Sequence, residues 1–383
     1  MNEKKILSPK TYHLKPKSIG LDGSRAFLKY RTGIEEYSYQ VIKNLRQAIP
    51  EETNVFLYVR KKLRIRKGRL AFIYPEIDFT LPSNWKLVGI WAPRFWTQIG
   101  LSLEMVFSPV DTLFVPAHTL PIIGGRRNVV TVHGLEYEVS PESYSFLERL
   151  YMRFFIRYSC WEADTVIAVS ENTKQDLMKL YQTPEERIKV IGEGYIANLQ
   201  PTTHNLQPIP YILFIGRIEE RKNVVRIVEA FEMLKEKYQR KEQLILVGKP
   251  GYGYEKIQKK VEGNTYQAEI QEKGYVTKEE KQTLLQNASV FVFPSLYEGF
   301  GLPVLEAQAA GVSVVTSSTS SLPDVGGEGA LYVDPLSSES IAEGIHKALT
   351  LDEEDRDVLQ EKMKENLKRF SWEKCSKEIV ELL

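Results

Sequence analysis

Cysteine is almost missing from this chain: Cys160 and Cys375 are the only two in 383 residues. Two thiols can build neither a disulfide framework nor a multi-thiolate metal site, and each sits in an amphipathic run, which predicts buried thiols. Long apolar runs are missing too. No stretch approaches the roughly 18 uninterrupted apolar residues of a membrane span. The opening MNEKKILSPKTYHLKPKS lacks the apolar core of a secretory signal, so the expected location is the cytoplasm. No His/Cys cluster suggests zinc, and no solenoid or propeller period is present. With 43% apolar, 26% charged and 11% aromatic residues, disorder, collagen and coiled coil are excluded.

What remains is a globular chain whose length, against about 150 residues per domain, predicts two domains. Its formal charge of +1 conceals an asymmetry. Residues 1–100 hold 19 Lys and Arg against 8 Asp and Glu, and the rest of the chain is acidic. The densest piece, RKKLRIRKGR at 60–69, has seven positive side chains and no negative one. It is either a solvated strand end and turn or a face for anionic lipid, worth roughly 1 kcal/mol per basic residue near the surface. Nucleic acid is disfavoured, because no aromatic residue interrupts the patch to stack on bases.

Short apolar, β-rich runs alternate with longer helical patterns, as in a parallel sheet wound with helices. The expected strands of the first half are 54–60, 85–90, 112–116, 128–133, 164–170 and 187–191, with helices in 141–163 and 171–182. Residues 198–210, NLQPTTHNLQPIP, contain three prolines and no charge, which predicts a linker. A second wound pattern follows, with strands expected at 211–216, 243–248, 268–276, 289–294 and 312–317 and helices at 223–239 and 278–287. The tail from Asp352 is helical, anchored by Trp372. Two doubly wound α/β sheets bind ligands outside the carboxyl ends of their strands.

The most informative segment is SLYEGFGLPVLEAQAAGVSVVTS, 295–317. Gly299 and Gly301 let backbone approach a ligand, and Pro303 suits the first helical position, where exposed N–H groups attract anions. Glu298 precedes this turn, and Glu306 is expected in the helix's first turn. A carboxylate can accept from two neighbouring hydroxyls, as on a ribose or hexose, although an acid there could equally complement the helix dipole. A second segment, FIGRIEERKN at 214–223, offers Gly216, Arg217 and Lys222 after a strand. Cations preorganised beside a departing diphosphate stabilise the transition state, although in isolation this stretch could be a charged loop. In TVHGLEY, His133 ends an apolar strand, where it could donate to a sugar hydroxyl or take a proton near neutral pH. His118, in SPVDTLFVPAHTLP, competes with it. Either histidine could instead be a core or capping residue. RTGIEEYSYQVIKNL, 31–45, is a helix led by Gly33.

The two glutamates around Gly-Phe-Gly closely resemble the signature of family 4 glycosyltransferases, and the likeness runs almost without a gap over 293–335. It implies the GT-B fold, two doubly wound Rossmann-like domains facing across a cleft: 1–200 for the acceptor, 208–365 for the sugar nucleotide, and 366–383 as a helix crossing back onto the first. By this resemblance Glu306 holds the donor's ribose and Glu298 lies against the transferred sugar. Gly299, Phe300, Gly301 and Leu302 line the donor, and Arg217 and Lys222 form the diphosphate pair. His133 contacts the sugar, with Gly134 where the family usually has aspartate. Gly33 approaches donor phosphate or acceptor, although Glu35 replaces the small residue usual two positions later and is expected to point elsewhere.

The implied activity is a retaining, metal-independent hexosyl transfer to a saccharide or lipid-linked acceptor. It needs no cofactor beyond the nucleotide-diphosphate sugar. The TGIxxY helix, the PAHTLP loop and SSLPDVGGEGALYVDP look most like polysaccharide mannosyltransferases, which suggests GDP-mannose; a UDP-hexose, dTDP-rhamnose or a non-catalytic sugar-nucleotide-binding protein are the alternatives. IGEGYIA, 191–197, spells a dinucleotide fingerprint but runs into the linker rather than a helix, and is set aside. VGKPGYGYE, 247–255, is expected to be a turn bordering the donor site. Asp355-Arg356-Asp357 spells the metal motif of another transferase fold but lies in a charged helix.

Overall fold

The computed structural model describes residues 16–66, 69–196 and 209–383, without the side chains of Ile65, Arg66 and Arg69. Part of the basic stretch and nearly all of the expected linker therefore lie outside the described residues. Two sheets carry the fold. The first orders its strands Trp85–Ile90, Asn54–Arg60, Ser18–Asp22, Thr112–Val115, Arg127–Val132, Thr165–Ala168, Ile188–Val190. The second runs Ile270–Gly274, Gln243–Val247, Tyr211–Ile215, Val290–Phe293, Val314–Ser317, Leu331–Val333, all parallel. Strands such as Thr112–Val115, Thr165–Ala168 and Val290–Phe293 are buried at every position, as continuous apolar runs in helix-covered parallel sheets must be.

The described chain forms two compact units. Of the described residues, one unit consists of those up to Pro116 with Leu120–Val129 and Val380–Leu383, the other of Ala117–Thr119 and those from Val130 to Ile379. In the first, Ile19 pairs with Val55 and with Thr112, and Thr112 Oγ1 donates to the carbonyl of Leu383 at 2.9 Å. In the second, Phe214 stacks on Phe293 at 6.0 Å between ring centres, and the buried Phe231 of helix Val224–Tyr238 joins the same core.

Local chemistry sets the element ends. The helix expected within 141–163 begins as α-helix at Phe146, after a 3-10 turn, because Ser145 and Glu148 form a capping box: Glu148 N donates to Ser145 Oγ at 3.3 Å and Ser145 N to Glu148 Oε2 at 3.1 Å. The charged tail resolves into helices Glu353–Leu367, capped by Asp352, and Trp372–Val380 with Trp372 buried. Asn366 donates to Gln308 Oε1 and to the carbonyl of Val325, both at 2.8 Å, which ties the tail to helix Leu302–Ala309.

Several elements escaped the sequence reading. Ser18–Asp22 is short and contains glycine, and Leu331–Val333 has three residues. Trp96–Leu101 is a π-helical turn leading into helix Ser102–Phe107. Lys62–Arg66 and Arg69–Ile73 form an antiparallel hairpin, concealed in the sequence by its run of cations. Cys160 and Cys375 are buried and not in disulfides, and burial pushes the Cys160 thiol up to about 12.

Candidate active site

At the carboxyl end of Val290–Phe293 the chain enters the loop that carries Glu298, and hydroxyl groups fix that loop on both sides. Ser320 Oγ accepts from Glu298 N at 3.0 Å and donates to Glu298 O at 2.7 Å. Ser321 Oγ lies 2.9 Å from Glu298 O and 2.6 Å from Phe300 O. Ser170 Oγ donates to Gly299 O at 2.6 Å. Gly301 has φ +120, where a side chain would be strained, and the helix Leu302–Ala309 then begins.

The second strand end is Tyr211–Ile215, followed by a 3-10 turn, Glu220–Lys222. Asn223 stops that turn in the left-handed region, φ 64, and its amide donates to the carbonyls of Pro294 (3.0 Å) and Pro335 (2.6 Å). The turn thereby aims Lys222 at Glu298, and the two form an ion pair with side chains only 12% and 10% exposed. Arg221 Nη1 stands 3.5 Å from Glu298 Oε2 and donates to Tyr297 O at 2.7 Å, while Nη2 reaches Glu219 Oε1 at 2.8 Å. Arg217, two-thirds exposed, has its Nε 3.6 Å from Glu219 Oε2. Arg217, Glu219, Arg221, Glu298 and Lys222 are thus linked in one network. Gly216 and Gly248 pass so closely that a Cβ on Gly248 would lie 1.7 Å from the Gly216 carbonyl, and Gly251 N donates to Ile218 O at 2.9 Å, so the 247–255 turn lies against the Arg217 loop.

Electrostatics follow from burial. Burial alone would push the Glu298 carboxyl up, but Lys222 and Arg221 outweigh it and hold the group below its ordinary value. Burial also weakens the hold of Lys222 on its proton, and Glu298 offsets part of that fall. Arg221 is pulled down by burial, yet Glu298, Glu136 and Glu219 raise it overall. Glu136 goes the other way: burial raises it, and Arg221 opposes only in part.

His133 follows Arg127–Val132, with its Nδ1 3.2 Å from Glu193 Oε1, both residues buried. The His118 ring sits edge-on to it at 5.3 Å. Gly134, at φ +146, and Gly299 meet backbone to backbone: a Cβ on Gly299 would lie 1.5 Å from His133 O, and one on Gly134 3.0 Å from Gly299 Cα. This approach leaves no room for the aspartate the resemblance led one to expect at 134. Phe300 is buried, edge-on to Phe370 at 5.7 Å.

Two expectations need correction in detail. Pro303 is the second, not the first, residue of Leu302–Ala309, and Glu306 is the fifth, beyond the first turn, because Leu302 already opens the helix. Glu306 pairs with Lys281 at 2.5 Å, apart from the Glu298 network. Gly33 opens helix Gly33–Ala48 in the other unit; there Glu35 folds back onto Thr32 N (3.2 Å) and meets Arg25 at 3.2 Å. Sequence reasoning missed Arg221, Glu136, Glu193 and Ser320. Arg221 is indistinguishable from solvated charge until the 3-10 turn draws it in, leaving 14% of its side chain exposed. Glu193 did leave a signal, an acid between two glycines after a strand.

These pieces define a class. Residues 33–196 match the model described as Glycosyltransferase Family 4, and residues 201–369 match that of Glycosyl transferases group 1. An O-antigen chain mannosyltransferase B of Escherichia coli is 32% identical over 67% of this chain and 69% of its own. Sucrose-phosphate synthase from Thermosynechococcus elongatus superposes with TM-score 0.70 at 18% identity, covering 96% of this chain and 98% of its own. HepE of Anabaena, solved in complex with UDP-glucose, does so with TM-score 0.69 at 14% identity, over 95% and 98%. The chain belongs to glycosyltransferase family 4 and has the GT-B fold, with two Rossmann-like parallel sheets. It is a glycosyltransferase.

Proposed function

We propose that the protein moves a hexose, mannose from GDP-mannose, to a saccharide or lipid-linked acceptor with retention, forming an α-linkage. The observation that carries this reading is the largely enclosed Lys222–Glu298 pair joined through Arg221 and Glu219 to Arg217, beside the His133–Gly299 backbone contact. The mannosyl donor is supported by the O-antigen mannosyltransferase relative. Nucleotide-sugar binding is supported by the likeness to HepE.

In this reading Arg217 and Lys222, with the amides opening Leu302–Ala309, take the diphosphate. They stabilise the charge gathered on it as the bond from sugar C1 to phosphate oxygen breaks. That positive field does the work a divalent cation would otherwise do, so transfer proceeds in chelator. Glu298 orients Lys222 and faces the transferred sugar with Gly299 and Phe300. Glu306 holds the ribose, exchanging Lys281 for its hydroxyls. His133, with His118 and Gly134 nearby, receives the sugar's hydroxyl groups, and Gly33 faces phosphate or acceptor. The acceptor oxygen bonds to C1 on the face the diphosphate leaves, and its proton passes to the departing phosphate oxygen. The test is a thermal-shift panel of nucleoside diphosphates and sugar nucleotides followed by NMR of the product's anomeric centre. GDP and GDP-mannose should stabilise most and the product should be α; a β product overturns the retaining step.

Membrane attachment is part of the proposal. Lys61, Lys62 and Arg64 precede exposed Leu70 and Phe72, Lys61 lies over the Phe72 ring at 4.5 Å, and Phe72 meets Trp91 at 6.4 Å. Cations beside exposed aromatic rings suit an anionic lipid surface. No helix among the described residues is long and apolar enough to cross a membrane.

A further inference from the structure

The segment IGEGYIA has the glycines of a nucleotide loop but not its helix, and its acid has another use. Glu193 and His133 are both buried, 4% and 7% exposed, with Glu193 Oε1 3.2 Å from His133 Nδ1. The flanking glycines are held against the chain at 370–372: a Cβ on Gly192 would lie 3.2 Å from the Phe370 ring, and one on Gly194 2.2 Å from Trp372 N. The carboxylate is therefore placed by backbone packing on both sides. It is not a flexible surface acid that happens to reach a ring.

We infer that Glu193 is the positioning residue of His133. A carboxylate oxygen facing Nδ1 accepts, so Nδ1 carries the proton. The ring plane of His133 is thereby fixed before the donor arrives. This rests on the reading of His133 as a sugar-contacting residue. It adds a residue to that site.

The tautomer can be read without substrate. Long-range proton–nitrogen correlation spectra of the 15N-labelled protein near neutral pH should show His133 protonated at Nδ1. In Glu193→Ala that pattern should give way to exchange between tautomers. Turnover of the sugar nucleotide that the protein consumes, GDP-mannose first and UDP-glucose second, is read as nucleoside diphosphate released. For Glu193→Ala, kcat should fall roughly 10- to 100-fold, the range typical of outer-shell partners, with KM for the donor nearly unchanged. Glu193→Gln, whose amide oxygen can accept the same Nδ1–H, should recover most of the loss and shows that folding is intact. In a His133→Ala background Glu193→Ala should cost nothing more. An unprotonated Nδ1 in the native protein, or the full loss in the His133→Ala background, overturns the inference. A His133→Ala protein with native turnover would instead remove the sugar-contact reading, while the substrate-free spectrum still decides whether Glu193 sets the tautomer.

Discussion

Glu298 and Glu136 approach the same guanidinium and are driven in opposite directions. The folded-state value of Glu298 is depressed, so its contribution to stability is present above its unfolded value near 4.5 and is lost as pH falls through the folded value. Glu298→Gln should therefore lower the melting temperature at neutral pH, costing on the order of 3 kcal/mol of stability since it breaks one side of a largely enclosed pair, and the difference should shrink in acid. Glu136 is raised by burial, so its contribution is present below its unfolded value and is lost as pH climbs through the folded one. Glu136→Gln should raise the melting temperature near neutral pH and leave it unchanged in acid. Melting curves across pH check both signs. Of these two acids the sequence displayed only Glu298, because its glycine-flanked turn has a pattern; Glu136 looks like any acid in LEYEVS until folding places it near Arg221.

The loop bearing Glu298 is held by partners distant in sequence, and its rigidity is a property of assembled elements. Ser321→Ala should leave the Glu298 and Phe300 carbonyls without that hydroxyl and cost about 1–3 kcal/mol by denaturant unfolding. Gly134→Asp, which would restore the usual family residue, should cost at least a similar amount, because φ +146 and the approach to Gly299 both exclude a side chain. A Gly134→Asp protein as stable as the native one would contradict that account. Strands and helices were largely legible, since parallel-sheet runs are apolar end to end and helices Gly33–Ala48, Phe146–Glu162 and Lys278–Gln286 start on capping boxes. The hydroxyl clamps were not: Ser320 and Ser321 sit in SSTSSLP, and nothing local says which serine turns toward Glu298.

For the molecule as a whole, the paired wound sheets and the family were legible because both follow from patterns that persist over tens of residues. Which cations matter was not. Arg217 and Lys222 stand out by spacing, yet folding leaves Arg217 two-thirds exposed, encloses most of Lys222 and adds Arg221 between them. The basic first quarter makes its own prediction: replacing Lys61, Lys62 and Arg64 by serine should weaken sedimentation with anionic vesicles by roughly 1 kcal/mol per residue and leave soluble-acceptor turnover unchanged. Unchanged sedimentation would remove the membrane from the account. The central claim, that the Arg217–Lys222 network receives a nucleoside diphosphate, is tested most directly by calorimetric titration of GDP and UDP into the native protein and into a Lys222→Met, Arg217→Met double variant. One of the two nucleotides should bind the native protein and lose on the order of 100-fold in affinity in the variant, as expected when two charge-assisted contacts vanish. Equal affinity in a folded variant would contradict the claim.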